Sequence, residues 1–199
     1  MNSLWQAVLD LDRHLFLWLN TALAADWLDT VMVWITLKET WYIPAALLVG
    51  GLLWTQGARG RVITVALILA VVLGDQISSS LLKPWLERLR PCKSMEGFRL
   101  LVHCGSMYGF PSSHATNAAA VATPMALWFP RWRSLWAVYA LVVGFTRIYV
   151  GVHFPLDVLA GWLLGGLIGW GLYRAAGGGV PRPVLLRMVS PRRTGSVGG

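Results

Sequence analysis

Between Thr30 and Tyr173 the chain consists mostly of apolar runs, and its charges gather in the short segments that separate them. A run of about twenty residues spans a ~30 Å hydrocarbon core at 1.5 Å per helical residue. In lipid each backbone polar group must be bonded internally, and a helix does this within one segment. The pattern therefore predicts an all-α fold, a polytopic membrane helix bundle. Composition excludes the soluble alternative. Hydrophobic residues make up 56% of the 199 and charged residues 13%, against about 25% charged in a soluble domain.

Five runs read as clear transmembrane helices: Thr30 to Thr55, Val62 to Leu82, Ser113 to Pro130, Ser134 to Val150 and Pro155 to Tyr173. The first carries Lys38 and Glu39 near its start, the second carries Asp75, and the third is short. Met1 to Asn20 is not a cleavable signal, because it lacks a basic start and is interrupted by Asp10, Asp12, Arg13 and His14. Leu4, Val8, Leu11, Leu15 and Leu19 recur at helical spacing there. They predict an amphipathic helix, lying in the interface or forming a poor sixth span.

The net charge of +8 forms no single basic face, so a nucleic-acid partner is not expected. Arg59 and Arg61, then Arg131 and Arg133, then the C-terminal arginines are each separated by two runs and fall on one side. The positive-inside rule makes that side cytoplasmic in a plasma (inner) membrane. Residues 1–175 read as one membrane-embedded domain. Residues 176–199 read as a basic, disordered cytoplasmic tail with an affinity for anionic membrane lipids. No internal repeat is evident.

Other cations contradict this arrangement. Lys83, Arg88, Arg90, Lys93 and Arg99 fall in an outer loop, where basic residues are disfavoured. A local account pairs Arg88 with Glu87 or Glu96 and lets Lys83 and Arg90 snorkel. From Ser134 to Tyr173 the charged residues are Arg147 and Asp157, with His153 between them. Such groups cost about 2.5–3.5 kcal/mol each at the membrane centre, so they need partners or a task. Pro155 suits the first turn of a helix, which puts Asp157 within reach of His153. A carboxylate on one imidazole nitrogen orients the ring and frees the other as a nucleophile or base. Ser112, Ser113 and His114 open another helix, whose free N–H groups favour an anion. Cations, a helix N-terminus and two histidines on one outer face point to phosphate.

These segments resemble the signatures of the type 2 phosphatidic acid phosphatase (PAP2) superfamily. K-P-W-L-E-R-L-R-P from Lys83 to Pro91 is similar to its first, P-S-S-H from Pro111 to His114 to its second, and Arg147 through His153 to Asp157 to its third. The resemblance covers roughly Leu28 to Tyr173. It departs at Ser113, where glycine is usual, and at Thr146, where serine is usual. Serine at 113 adds bulk or one more donor. The resemblance implies a metal-independent phosphatase with no cofactor. His153 would form a phosphohistidine, Asp157 would hold its tautomer, and His114 would act as acid and then base. Lys83, Arg90, Arg147, Ser112 and Ser113 would bind the phosphoryl group. The expected substrate is a lipid phosphate met at the outer, periplasmic face, first of all undecaprenyl diphosphate. Phosphatidic acid, phosphatidylglycerol phosphate and lipid A phosphate are alternatives. A transporter is the alternative from another class, with Asp75, Arg147 and Asp157 lining a pathway, but the two related halves of a carrier are not seen.

Two cysteines are too few for a disulfide framework. Cys92 and Cys104 both fall in the outer loop, where they either bond or remain as two buried thiols.

Overall fold

The computed structural model describes residues 3–178, so most of the expected tail, 179–199, lies outside the described residues. The chain forms α1 (Ser3–Thr21), α2 (Asp26–Thr36), a 3₁₀ turn (Lys38–Trp41) and α3 (Tyr42–Asp75). A π-helical turn (Gln76–Leu82) leads into the short α4 (Lys83–Leu86) and α5 (Pro91–Ser94). The long helices α6 (Ser113–Trp128), α7 (Arg133–Tyr149) and α8 (Pro155–Ala175) complete the fold. Among the described residues there is no strand, only an isolated bridge between Leu89 and Tyr108.

The run expected from Thr30 to Thr55 is not one helix. α2 stops at Thr36 and Leu37 is extended, with φ −71° and ψ 133°. Thr40 Oγ1 then donates to Trp34 O at 2.6 Å and Trp41 Nε1 to Ile35 O at 2.8 Å. These side chains satisfy carbonyls that the helix end leaves free. α3 in turn is a helical hairpin. Gly57, at φ 53° and ψ −125°, reverses the chain in a conformation that side-chain-bearing residues rarely adopt. The two arms touch so closely that a Cβ on Gly60 would lie 2.0 Å from Leu52 O. Among the described residues two stretches are long and apolar enough to cross a membrane, Lys38–Leu86 and Pro155–Ala175. The first folds back on itself at Gly57. α6 and α7 have 16 and 17 residues, about 24–26 Å of helix.

The site rests on the packing of α6 against α8. Gly161, Gly165 and Gly169 recur every fourth residue and face Ser112, Thr116 and Ala120 of the partner helix in the same order. The two helices therefore run parallel, with both N-termini at one end. Small residues let backbones approach where lipid supplies no hydrophobic drive. The consequence is testable. A Cβ on Gly165 would fall 2.0 Å from Thr116 O, whereas one on Gly166 would meet nothing nearer than 3.8 Å. Gly165→Ala is expected to destabilise by about 1–3 kcal/mol through overpacking, while Gly166→Ala gains about 0.5–1 kcal/mol of helix propensity. Thermal unfolding in detergent should move in opposite directions for the two.

The other end of the bundle gathers the basic connectors. The Arg59 guanidinium lies 5.9 Å from the Phe129 ring centre, and Arg61 lines a groove with Leu172 and Ala175. α1 turns a polar row inward. Asp12, Phe16 and Asn20 are buried, while Leu4, Trp5, Leu11, Leu15 and Trp18 are exposed. Phe16 stacks edge-on against Phe98 and Phe154, and Asn20 Nδ2 donates to Arg99 O and Tyr149 O at 2.9 and 2.8 Å. Of the residues that marked the helix in the sequence, Leu4, Leu11 and Leu15 thus face outward, while Leu19 packs against the Phe16 cluster.

Candidate active site

Three chain segments meet where the N-termini of α6 and α8 lie together. The first enters through α4, which ends at Glu87 in the left-handed region (φ 49°). Residues 88–90 then run beside 107–109. Gly109 N donates to Arg88 O at 2.8 Å, and Arg90 N to Met107 O at 3.3 Å. A disulfide between Cys92 and Cys104, with Cα atoms 6.2 Å apart, ties the same two segments together. Arg90 is thereby fixed, its Nε donating to Ser106 O at 2.8 Å and its Nη1 to Val152 O at 3.1 Å. Because the bridge holds this placement, dithiothreitol is expected to lower phosphate release about tenfold. A Cys92→Ser/Cys104→Ser variant should not respond to the reagent. Two maleimide-reactive cysteines in denatured, unreduced protein would contradict the bond.

His153 precedes α8 and is 1% exposed. Arg90 Nη1 lies 2.9 Å from its Nε2, and Asp157 Oδ2 lies 3.3 Å from its Nδ1. A guanidinium has no acceptor, so the lone pair of His153 is on Nε2 and the proton is on Nδ1, donated to Asp157. Burial, and after it the positive charges of Arg90, Arg147 and Lys83, hold the imidazole well below the ordinary histidine value of 6.5, against a backbone hydrogen bond to Gly109. Asp157 Oδ2 also accepts from Phe154 N at 3.0 Å, and the Asp157 carbonyl accepts from Ser112 N at 2.9 Å. That last bond joins the first turns of the two helices. The backbone comes close here, since a Cβ on Gly109 would lie 3.0 Å from Asp157 Oδ2 and 3.5 Å from His153 Nδ1.

The other residues singled out in the sequence arrive at the same place. Arg147 sits in the last turn of α7, hydrogen-bonded through Nη1 to Thr36 Oγ1. Among the described residues its Nε and the hydroxyl of Ser112 are buried without a hydrogen-bond partner, a costly state that an incoming anion relieves. His114, in the first turn of α6, opens to solvent, and the charges of Arg147, Lys83 and Arg90 bear on it. Lys83 does not snorkel. Its Nζ donates to Ser113 Oγ at 2.6 Å, and Ser113 Oγ also meets Ser78 and Ser79 Oγ at 3.0 and 2.8 Å. Serine 113 therefore holds Lys83 rather than standing free as an additional donor. Thr146 Oγ1 bonds Val143 O at 2.7 Å and Thr36 Oγ1 at 3.1 Å, keeping the hydroxyl in use.

Some participants are not evident from the sequence. Arg88 does not pair with Glu87 or Glu96. It donates to Asp157 Oδ1 at 2.5 Å and to Asp12 of α1, while Glu87 accepts from Tyr108 Oη at 3.3 Å. Thr36 and Gly109 carried no signal of their own. The one available hint was the pair of anomalies themselves, an unexplained outer arginine and an acidic residue inside an amphipathic helix.

Comparison with known proteins agrees with this geometry. Residues 61–178 match the family model described as the PAP2 superfamily. A lipid A 4′-phosphatase of Porphyromonas gingivalis is 33% identical over 84% of this chain and 73% of its own length. An undecaprenyl-diphosphatase of Sulfolobus acidocaldarius is 36% identical over 55% of this chain and 51% of its own length. The crystal structure of a transmembrane PAP2-type phosphatidylglycerolphosphate phosphatase from Bacillus subtilis superposes with a TM-score of 0.69, at 27% identity. That match covers 88% of this chain and 89% of the other.

Proposed function

The chain belongs to the PAP2 superfamily and is a membrane-bound phosphatase, and we propose that it releases phosphate from a lipid by way of a phosphohistidine at His153. The observation that carries this reading is the buried Arg90–His153–Asp157 row at two helix N-termini. An arriving phosphoryl oxygen takes over Arg90 Nη1, which uncovers the Nε2 lone pair. Nε2 then attacks phosphorus in line, and the bond to the leaving oxygen breaks as His114 gives that oxygen its proton. Water next loses a proton to His114 and displaces phosphate from Nε2, restoring both imidazoles. Lys83, Arg90 and Arg147, with Arg147 Nε, the Ser112 hydroxyl and the two helix ends, neutralise the equatorial oxygens. Phosphoryl transfer needs mainly such positioning and charge.

We read five crossings, namely the two arms of the 38–86 hairpin, α6, α7 and α8, with α1 lying in the interface. The basic connectors at the far end support a cytoplasmic side there. The disulfide beside the site supports an oxidising, outer side for the site. A lipid phosphate then keeps its chain in the bilayer while its head enters from that face. Undecaprenyl diphosphate is the first substrate on this reading. A lipid A phosphate is the second, favoured by the relative from Porphyromonas gingivalis.

The test is phosphate release by detergent-purified protein from undecaprenyl diphosphate, lipid A and phosphatidylglycerol phosphate, with EDTA present throughout. Release should persist in the chelator and be inhibited by vanadate, which mimics five-coordinate phosphorus. Loss in EDTA with recovery in Mg²⁺ would overturn the reading that the protein's own cations suffice.

A further inference from the structure

The phosphoryl-transfer scheme leaves Arg88 unused, yet its guanidinium bridges α1 and the first turn of α8 beside the site. Nη1 donates to Asp157 Oδ1 at 2.5 Å and Nη2 to Asp12 Oδ2. Its central carbon lies 4.8 Å from the centre of the Phe154 ring and 5.9 Å from that of Phe110. Phe154 follows His153, Phe110 leads into Ser112 and His114, and Arg88 stands two residues before Arg90. Asp12 comes from the middle of α1 and is 2% exposed. Its other oxygen accepts from Leu156 N at 2.8 Å. α1 therefore holds the first turn of α8 at two points, once directly and once through Arg88.

The division of oxygens on Asp157 gives this contact its meaning. Oδ2 serves Phe154 N and the His153 ring, and Oδ1 receives Arg88. A fully buried carboxylate with one oxygen unpaired lacks both a countercharge and a fixed torsion. Arg88 supplies both, and Asp12 fixes the plane of Arg88 by taking its second nitrogen. Two flanking rings favour a flat guanidinium over the point charge of a lysine.

We propose that Asp12 and Arg88 are positioning residues of the catalytic reaction. The α1 carboxylate holds Arg88, Arg88 holds Asp157, and Asp157 holds the His153 ring with Nε2 aimed at phosphorus. This rests on the reading of His153 as nucleophile. It makes α1, whose outer face bears Leu4, Trp5, Leu11, Leu15 and Trp18, part of the machinery as well as a seat in the interface.

The experiment compares Asp12→Asn, Arg88→Gln, Arg88→Lys and the Asp12→Asn/Arg88→Gln double variant in detergent. Phosphate release from a short-chain phosphatidic acid is measured alongside thermal unfolding. For each single variant kcat should fall about 10- to 100-fold, with KM within about twofold, since neither residue touches substrate. The double variant should be no slower than the worse single, because both act through one chain of contacts. Arg88→Lys should recover only part of the loss. Wild-type kcat in any folded single variant, or losses that multiply in the double, would overturn the proposal. If Asp12→Asn does not fold, Arg88→Lys alone decides, with wild-type kcat as the overturning result. His153→Gln separates the two layers. Activity retained there rejects the nucleophile. An inactive His153→Gln beside unimpaired Arg88 variants rejects only the positioning role.

Discussion

His153→Gln is expected to lower phosphate release on the order of 10⁴-fold or more while the protein still folds. Both halves of the expectation come from the geometry. Glutamine offers a carbonyl acceptor and an NH₂ donor group, so its amide can accept from Arg90 and donate toward Asp157 in place of the ring. The buried contacts are kept, and the thermal midpoint in detergent should stay close to wild type. The amide cannot form the covalent intermediate, so acid-labile incorporation of ³²P into the protein should vanish along with turnover. A folded His153→Gln protein that still releases phosphate would exclude the phosphohistidine route. The wild-type pH profile bears on the same group. Burial first, and then Arg90, Arg147 and Lys83, hold its pKa well below 6.5. A lowered pKa means the imidazole stays neutral as the pH falls through that value. Once substrate ionisation is accounted for, kcat/KM should show no acid limb from His153 near pH 6.5. A limb at 6.5 that persists in His114→Ala, read with p-nitrophenyl phosphate, would place His153 in an ordinary, solvated setting.

The sequence and the structure agree most closely where local rules decide. α6, α7 and α8 begin and end within two residues of the expected Ser113–Pro130, Ser134–Val150 and Pro155–Tyr173. Proline, serine and arginine bound those apolar runs, and a bounded run in lipid must be a helix. The same rule failed from Thr30 to Thr55. Hydropathy does not register that Thr40 and Trp41 bond backward to carbonyls of α2, although the break expected between Thr55 and Val62 is where Gly57 reverses the chain. The gathering of Lys83, Arg90, His114, Arg147, His153 and Asp157 at one end was inferred from counting crossings between them. Which cation meets which anion was not legible. Arg88 and Asp12 are separated by 76 residues, and a charge pattern along one helix cannot name a partner on another. The inward face of α1 was hidden for a related reason. Its leucines are the regular feature of the sequence, but Leu4, Leu11 and Leu15 lie on the exposed face, so the buried row is the irregular one, Asp12, Phe16 and Asn20.

His114→Ala should behave unlike His153→Gln, and its phenotype depends on what leaves. His114 opens to solvent at the start of α6, where it can reach a departing oxygen without rearranging the buried row. An alcohol is a poor leaving group and needs a proton as its bond to phosphorus breaks. For a lipid alcohol, loss of the acid should cost about 10²- to 10⁴-fold. p-Nitrophenol leaves as the anion, so the first step should slow by no more than about tenfold. The second step still lacks its base. His114→Ala should therefore give a burst of p-nitrophenol close to one equivalent per enzyme, followed by slow turnover and a trapped phosphoprotein. Equal losses on both substrates, without a burst, would remove His114 from the acid–base role. The same variant carries the test over to the lipids. Cleavage of undecaprenyl diphosphate expels a phosphate monoester, itself a stable anion, whereas cleavage of a lipid A phosphate expels a sugar alkoxide. On the diphosphate, the first step in His114→Ala should track p-nitrophenyl phosphate. On a lipid A phosphate, phosphoenzyme formation should fail alongside the simple alcohol esters. Rapid-quench measurement of the phosphoenzyme with each lipid therefore checks the acid role on both kinds of bond, while the ratio of the wild-type kcat/KM values for the two lipids distinguishes the two readings of the substrate.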